Sequence, residues 1–452
     1  MTRQECEQGL KALAKSAFKV LLGRPMPTEF EERWIESDSP SPRKEKQRVA
    51  RPRYLVDSAA HELAQLSEFV TLRDRLIALP EFVTRSKTFA TGANKEEAVK
   101  AAAFVFLCQF LSTLIDLSKG LSLVESACDA LVQAITQHLW TTLRRVRVIV
   151  PLLHLRSDLT EVALQQGVKI VGLKPWRAAA LSEQIGLELR MGSRADFSHA
   201  IVFDWERDQN EKVDEQWDDR VRSTWVAVVS ALRVLRRGYL DAPDSIETPR
   251  DWPLMDTRTI GHWARGYHTQ PYLDYVMSAE VAAALPAMLQ NVLSATKGDR
   301  ALDVAIRRFT SAIGEHHHED KLIDLLIAAE ALFLGDGEPE LKHRFAERVA
   351  LLLETEINAR RSIYHLAKQA YDLRSKLVHG AAVDNTAKFK RYQEGREETV
   401  KMPLPDFVED VEILMRRGLN KILSIAPEQR PSKRRDFWEK LSFDPTCQQS
   451  PI

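Results

Sequence analysis

Arg374 and His379 are the two residues in this sequence whose types and spacing best suit chemistry at a phosphate. Histidine titrates near neutral pH and can therefore act as a general base or a general acid. Arginine stays charged and offers planar donors to phosphate oxygens. RNA carries its own nucleophile, the 2′-OH, so such a pair needs no metal. The products would be a 2′,3′-cyclic phosphate and a 5′-OH. DNA, which lacks the 2′-OH, would not be cleaved.

The two-residue pattern is weak by itself, because arginine precedes histidine at similar spacing elsewhere in the chain. Two of these other pairs fall in short β-branched runs or at their borders, where strand periodicity explains the arginines. The helices and strands around each pair must therefore indicate which pair could be catalytic. The other pairs are Arg147/His154, Arg194/His199 and Arg360/His365.

Three helical segments lead to the motif, and each places a charged residue within its apolar arc at about 100° per residue. These charged residues are Glu330, Arg348 and Arg374. An unpaired buried charge costs several kcal/mol, so we expect Glu330 to contact one or both arginines. This expectation also supports a purely structural interpretation of the charges.

The order and spacing of the three pieces resemble the Apea-like branch of the HEPN superfamily, most clearly over about residues 300 to 425. The resemblance implies a small helical bundle, and many HEPN proteins are metal-independent ribonucleases that dimerise to bring two such motifs into one cleft. The pieces are AAEALFLGDG, ELKHRFAERVALLLE and YDLRSKLVHG.

Carried over residue by residue, the resemblance implies that Arg374 and His379 are the catalytic pair. Glu330 and Arg348 match charged positions that recur in this branch and would support the pair. Ser375 departs from the family's pattern, because many HEPN nucleases have Asn, Asp or His directly after the arginine. Serine cannot replace the charge of a carboxylate.

The biology that follows rests wholly on the resemblance. It implies a cytoplasmic, toxin-like anti-phage effector that acts in abortive infection, with transfer RNA among its candidate substrates and a phage-derived trigger. A homodimer through the HEPN domain is expected. No cofactor is expected.

The charge of the chain is balanced overall and basic around the motif. Lys plus Arg and Asp plus Glu number 64 each in 452 residues, whereas residues 341 to 380 hold eight Lys or Arg against four Asp or Glu. A local positive field suffices for phosphate binding. The expected RNA-binding residues are Arg344, Lys376, Lys390 and Arg391.

Several other classes of site and compartment lack support in the sequence. The four cysteines are scattered without metal-ligand spacing, which favours a reduced cytoplasmic protein. The consecutive histidines His316–His318 point in different directions on a helix, so a polar helix start is favoured over a metal site. The apolar run Ala101–Leu117 is interrupted by polar residues and favours a buried helix over a membrane span. No phosphate-binding glycine loop, dinucleotide fingerprint or serine-hydrolase elbow occurs.

The sequence predicts a predominantly α chain in which a helical segment and a mixed α/β middle domain precede the HEPN helical bundle. The proline- and charge-rich stretches 24 to 53 and 381 to 403 are interpreted as exposed connectors. The predicted regions are a mainly helical N-terminal region 1–143, a mixed regulatory or substrate-selecting domain 144–290, the helical domain 291–430 and a polar tail 431–452.

A continuous helix through the motif poses a geometric difficulty. Arg374 and His379 are five residues apart, about 140° on the wheel, and so would not share a face. Either the helix ends near Gly380 and reorients His379, or two protomers share one cleft. The alternative to a nuclease is a non-catalytic helical module that binds RNA or protein, with Glu330, Arg348 and Arg374 as a structural charge cluster.

Overall fold

The architecture is predominantly helical, as the sequence predicts. The computed structural model describes residues 1–36, 43–86, 95–141, 143–165, 167–184, 197–208, 215–242, 245–249, 258–260, 274–334, 340–380, 385–393, 396–432 and 436–443.

The N-terminal region is a helical assembly with its own hydrophobic core, which includes Leu13, Phe69, Phe110 and Ile135. The first helix begins with a capping box, in which the Thr2 side chain accepts the Glu5 N–H and the Glu5 side chain accepts the Thr2 N–H. The helices are α1 Arg3–Leu21, α2 Pro52–Ser58, α3 Ala60–Leu63, α4 Ser67–Ile77, α5 Pro80–Ser86, α6 Lys95–Leu117 and α7 Glu125–Trp140.

Helix α6 is the apolar helix that the sequence assigns to a soluble core. Residues 96–117 are long and apolar enough to cross a membrane by length and composition, yet half of their most apolar stretch is buried within the protein. Leu107, Phe110 and Leu111 are fully buried, and α6 packs against α2, α4, α5 and α7. The helix therefore serves as the centre of the N-terminal core.

The interpretation of residues 24 to 53 as an exposed connector is confirmed for exposure, since none of its described residues is buried, but it was wrong for the backbone, much of which is β-structure. Strands β1 Thr28–Trp34 and β2 Lys44–Ala50 pair antiparallel in a two-stranded ribbon. Arg51, directly after β2, pairs with Glu29 and Glu31 of β1 at 3.2 and 3.4 Å. Some of the charges that suggested a solvated linker thus join β1 to the residue that follows β2.

The middle region is built on a six-stranded antiparallel sheet in the order β5-β6-β7-β3-β8-β9. Val148 and Val150 face the main core with Val228 and Leu232 of the next long helix, whereas Ile149 packs on the other face. Some of this region lies outside the described residues, including residues 185–196, where the sequence has the further short run LELRM. The elements are β3 Leu143–Leu152, β4 Leu155–Arg156, β5 Glu161–Ala163, β6 Lys169–Gly172, α8 Pro175–Gln184, β7 His199–Asp208, α9 Glu215–Leu235, β8 Ser245–Pro249, β9 Arg258–Ile260 and β10 Tyr275–Val276.

The C-terminal helices share one continuous hydrophobic core with the sheet and α9. The first of them runs through Pro286 without a break. The last long helix packs on α12 where Gly418 meets Phe333, and a Cβ at Gly418 would lie 2.9 Å from the ring. The helices are α10 Ala279–Gly298, α11 Arg300–Ile313, α12 His318–Phe333, α13 Leu341–Leu353, α14 Ile357–Val378, α15 Leu404–Ser424 and α16 Phe437–Phe443, with a 3-10 turn at Pro427–Gln429.

A second correction concerns the stretch 381 to 403, whose described residues form two paired strands where a connector was expected. Strands β11 Thr386–Gln393 and β12 Arg396–Pro403 pair antiparallel. Ala387 and Phe389 are buried on one face, and Phe389 lies 5.6 Å from the ring of Phe407 on α15. The period-two alternation of small or apolar residues was the missed signal.

The polar tail also contains regular structure. Helix α16 buries Leu441, and the Trp438 ring lies 5.9 Å from Phe333 of α12. The aromatic residues of this segment therefore contribute to the bundle, where a solvated terminus was favoured.

Candidate active site

Helix α14 carries Arg374 and ends just before His379. Its first turn is capped by Glu356, whose side chain accepts the Ala359 N–H at 2.7 Å. At the other end His379 is the C-cap residue, and Gly380 adopts a left-handed φ of 71°. Glycine takes this conformation without the strain of a Cβ, which is how many helices end. The chain therefore leaves the helix directly after His379.

Arg374 is anchored by Glu330 of the neighbouring α12. Its Nη2 atom lies 3.3 Å from Glu330 Oε2, and the two side chains are 23% and 28% exposed. Arg374 Nε is buried and has no hydrogen-bond partner among the described residues. The expected contact between Glu330 and an arginine is thus present for Arg374.

Tyr371 completes this cluster one turn before Arg374. The pKa of its hydroxyl is raised, first by burial and then by the adjacent Glu330 carboxylate. Glu330 therefore lies beside both the tyrosine and the arginine of α14.

Arg348 lies on α13, at the edge of the cluster, and contacts α12 and α16. Its Nη1 donates to the carbonyl of Phe333 at 2.7 Å, which satisfies a carbonyl in the last turn of α12. Its guanidinium also lies 5.4 Å from the centre of the Trp438 ring. These contacts give Arg348 a structural position between α12, α13 and α16.

His379 occupies a very different environment from Arg374. Its side chain is exposed, and its backbone N–H donates to the Ser375 carbonyl at 3.2 Å. Ser375 itself is half-buried on the turn between the two residues. The site thus combines an anchored, half-buried cation with an accessible imidazole at the helix end.

The expected RNA-binding residues do not form one cluster by direct contact. Arg344 is half-buried on α13, and Lys376 is exposed on α14. In the hairpin, Lys390 pairs with Glu397 at 2.5 Å and Arg391 approaches Asp410 at 3.8 Å. Lys390 and Arg391 are therefore partly neutralised.

Sequence reasoning missed the aromatic residues that lie beside these cations. Tyr364 and His365 lie on α14, and Tyr392 lies on β11, where its ring stacks on His365 at 5.7 Å. The signal in the sequence was the spacing of Tyr364 and Lys368, which places them on one helix face. The contact between His365 of α14 and Tyr392 of β11 was not apparent without the fold.

The other arginine and histidine pairs have structural roles among the residues that the structure describes. Arg147 pairs with Asp204 across the sheet at 2.8 Å, and Arg360 donates to the Glu354 carbonyl at 2.7 Å. His199 is buried, with its Nε2 donating to the Leu159 carbonyl at 3.1 Å. Arg194 lies outside the described residues. None of the arrangements described resembles the exposed histidine of the motif.

The consecutive histidines mark a helix start, as the sequence predicts. His317 is the N-cap residue of α12, and Glu315 accepts the backbone N–H groups of His316 and His317. Across the described ranges, no three His, Cys, Asp or Glu side chains converge in a way that could hold a metal ion.

Neither a protein-family model, nor a curated protein, nor a solved structure matches this chain significantly.

Proposed function

We propose that this protein is a metal-independent endoribonuclease of the HEPN type, with Arg374 and His379 as its catalytic residues. The observation that carries the proposal is the helix end at Val378, which leaves His379 exposed five residues after an arginine that pairs with Glu330. The sequence pattern of α12, α13 and α14 is the second support.

The two residues would divide the chemistry between them. His379 would move the proton of the 2′-OH or of the leaving 5′-oxygen. Arg374 Nε is buried and Glu330 engages Nη2, but the side chain is 23% exposed, so the exposed part of the guanidinium would meet a phosphate oxygen. A preoriented guanidinium stabilises the developing charge without reorganisation.

A homodimer is included in this proposal. Two copies related by a two-fold axis would duplicate the arginine and the histidine around one phosphate and remove the need for both to share a face of one helix. The proposed setting is a cytoplasmic anti-phage effector, with transfer RNA as a candidate substrate and residues 1–290 responding to a phage-derived trigger.

A second function is favoured by the same cluster. Glu330 pairs with Arg374 beside Tyr371, and Arg348 donates to a carbonyl at the end of α12, so these charges also suit a purely structural role in a helical RNA- or protein-binding module. In that case His379→Ala would change nothing, because His379 is exposed and outside the cluster.

The test uses purified full-length protein and total RNA in EDTA. The wild type should produce discrete cuts with cyclic phosphate ends, and His379→Ala should reduce cleavage by about 100-fold or more while its melting temperature stays unchanged. A DNA copy of the cut RNA serves as the control and should remain intact. Equal cleavage by the wild type and by His379→Ala, or no cleavage by either, would favour the binding module.

A further inference from the structure

One surface outside the proposed catalytic pair combines aromatic rings with cations. It comprises residues on the outer side of α14 and their neighbours on α13 and β11, and we call it the aromatic-basic stripe. Its members are His343, Arg361, Tyr364, His365, Lys368 and Tyr392.

The rings and cations of the stripe are held against one another. The His365 ring stacks on Tyr392 with an interplanar angle of 28°, and the Arg361 guanidinium lies 5.5 Å from the centre of the same tyrosine ring. Lys368 Nζ lies 5.7 Å from the centre of the Tyr364 ring. Each tyrosine is therefore paired with a cation.

The stripe is also rigidly positioned. Ser362 of α14 accepts the Tyr392 N–H at 2.8 Å, so the hairpin strand is fixed to the helix beside the ring. Tyr364 is hydrogen-bonded to His343 Nδ1 at 2.8 Å, which ties it to α13. Preorganised rings lose little freedom when a ligand binds.

The positive charges of the stripe are largely available. Within the described ranges, neither Arg361 nor Lys368 forms an ion pair, in contrast to Lys390, which Glu397 neutralises. The pKa of His365 is lowered by burial and by the nearby Lys390, so its ring is neutral at neutral pH. The surface thus offers flat neutral rings flanked by unneutralised cations.

The position of the stripe on α14 relates it to His379. Arg361, Lys368 and Ser375 are seven residues apart in turn, so they lie within about 40° of one another on the helix. Lys368 precedes His379 by a rise of about 17 Å, and Arg361 by about 27 Å. A strand that followed this face would reach the end of the helix at His379.

We propose that the aromatic-basic stripe binds an unpaired segment of RNA by stacking its bases on Tyr364 and Tyr392 and its phosphates against Arg361 and Lys368. Aromatic platforms flanked by cations are the common means of binding single strands without sequence preference. In a duplex the base faces are already stacked, so the stripe selects unpaired RNA. The delivery of this strand to His379 rests on the proposed function, whereas binding to the stripe does not.

The test measures binding in full-length His379→Ala protein, which cannot cut by the proposed mechanism. Fluorescence anisotropy is recorded with a labelled mixed-sequence single-stranded RNA and with the same RNA annealed to its complement. The single strand should bind at least about tenfold more tightly. Tyr392→Leu should weaken that binding by about fivefold or more, whereas Tyr392→Phe, which keeps the ring, should bind as the parent does.

The charges are tested by the salt dependence of the same binding. Lys368→Gln should lower the slope of log affinity against log salt by about 0.7, the contribution of one phosphate contact in a single strand. A Lys440→Gln variant on α16 is the matched control, because Lys440 pairs with Asp436 and lies outside the stripe. Melting temperatures confirm that every variant is folded.

Three results would overturn the proposal: equal affinity for single strand and duplex, equal affinity of the Leu and Phe variants at position 392, or no binding of either RNA. If the stripe instead binds an acidic protein, the Leu and Phe variants at position 392 would have equal affinity for RNA, or neither RNA would bind. Failure of the proposed nuclease is seen separately, since the wild type would then bind single strands through the stripe and leave them uncut.

Discussion

At the scale of single residues, Arg374 and His379 differ in how firmly the protein holds them. Arg374 shares Glu330 with Tyr371, whereas the His379 side chain is exposed at the end of α14. Such a division suits a cation that must be preoriented and a base that must reach substrate. It also allows stability and activity to be separated by substitution.

The Glu330–Arg374 ion pair should contribute only modestly to stability. Both side chains are about a quarter exposed, so solvent screens the pair, and we expect a coupling of roughly 0.5–1 kcal/mol. The measurement is a double-mutant cycle of Glu330→Gln and Arg374→Gln by urea denaturation. Arg374→Gln should stay folded and lose cleavage. A coupling of several kcal/mol with unfolding of the single variants would instead support the structural cluster.

At the scale of elements, the sequence analysis missed the strand pairs β1–β2 and β11–β12. Their many charged residues resemble those of an exposed connector. The β1–β2 ribbon is stabilised by opposite charges that look like a solvated linker when read in order. In β11, the buried residues Ala387 and Phe389 alternate with polar ones, and the polar residues dominate the composition. Helix α14 was easier to predict from the sequence, because its apolar spacing and the glycine after His379 are local signals.

The central sheet should be sensitive to acid through His199 on β7. Burial lowers the pKa of this histidine, which is only 4% exposed. Its folded pKa lies below the unfolded value of about 6.5, so the unfolded chain binds more protons between the two values. The stabilising contribution is complete above about pH 6.5 and is lost as the pH falls through the folded pKa.

This prediction is measured as the free energy of unfolding between pH 7.5 and pH 5 for the wild type and for His199→Gln. The glutamine keeps an N–H donor for the Leu159 carbonyl but does not titrate. The His199→Gln variant should therefore lose less free energy of unfolding than the wild type as the pH falls. His61→Gln is the matched control, because His61 is exposed on α3, and it should leave the pH profile as in the wild type. Identical profiles for His199→Gln and the wild type would contradict the prediction.

At the scale of the whole molecule, buried charges join the middle region to the C-terminal helices. Glu412 of α15 lies 2.6 Å from Lys321 of α12 and is bonded to Arg416. Arg416 donates in turn to the Arg236 carbonyl, just beyond α9, at 2.9 Å. Burial raises the pKa of Glu412, but Lys321 and Arg416 outweigh it, so the pKa is lowered and the carboxylate stays charged.

Glu412→Gln should therefore destabilise the larger core by about 3 kcal/mol, because it leaves the buried Arg416 and the partly buried Lys321 without their counter-charge. The part of the chain that the structure describes has two separate large hydrophobic clusters, so calorimetry should resolve two transitions. Only the transition of the larger core should move to lower temperature. Glu347→Gln, on the exposed face of α13, is the control and should move neither. A single transition that shifts as a whole would contradict this division.

The sequence by itself determined the predominantly helical class and the helices that carry Glu330, Arg348 and Arg374, and it offered the end of α14 near Gly380 as one of two alternatives. These features depend on periodicity, capping and glycine, which act between residues close in the chain. Tertiary structure alone decided that Arg374 meets Glu330 while Arg348 bonds Phe333, and that Tyr392 reaches His365. Those contacts join residues 15 to 44 positions apart, and local patterns do not specify which of several compatible partners will meet. The packing of whole helices and of the hairpin against α14 makes that choice.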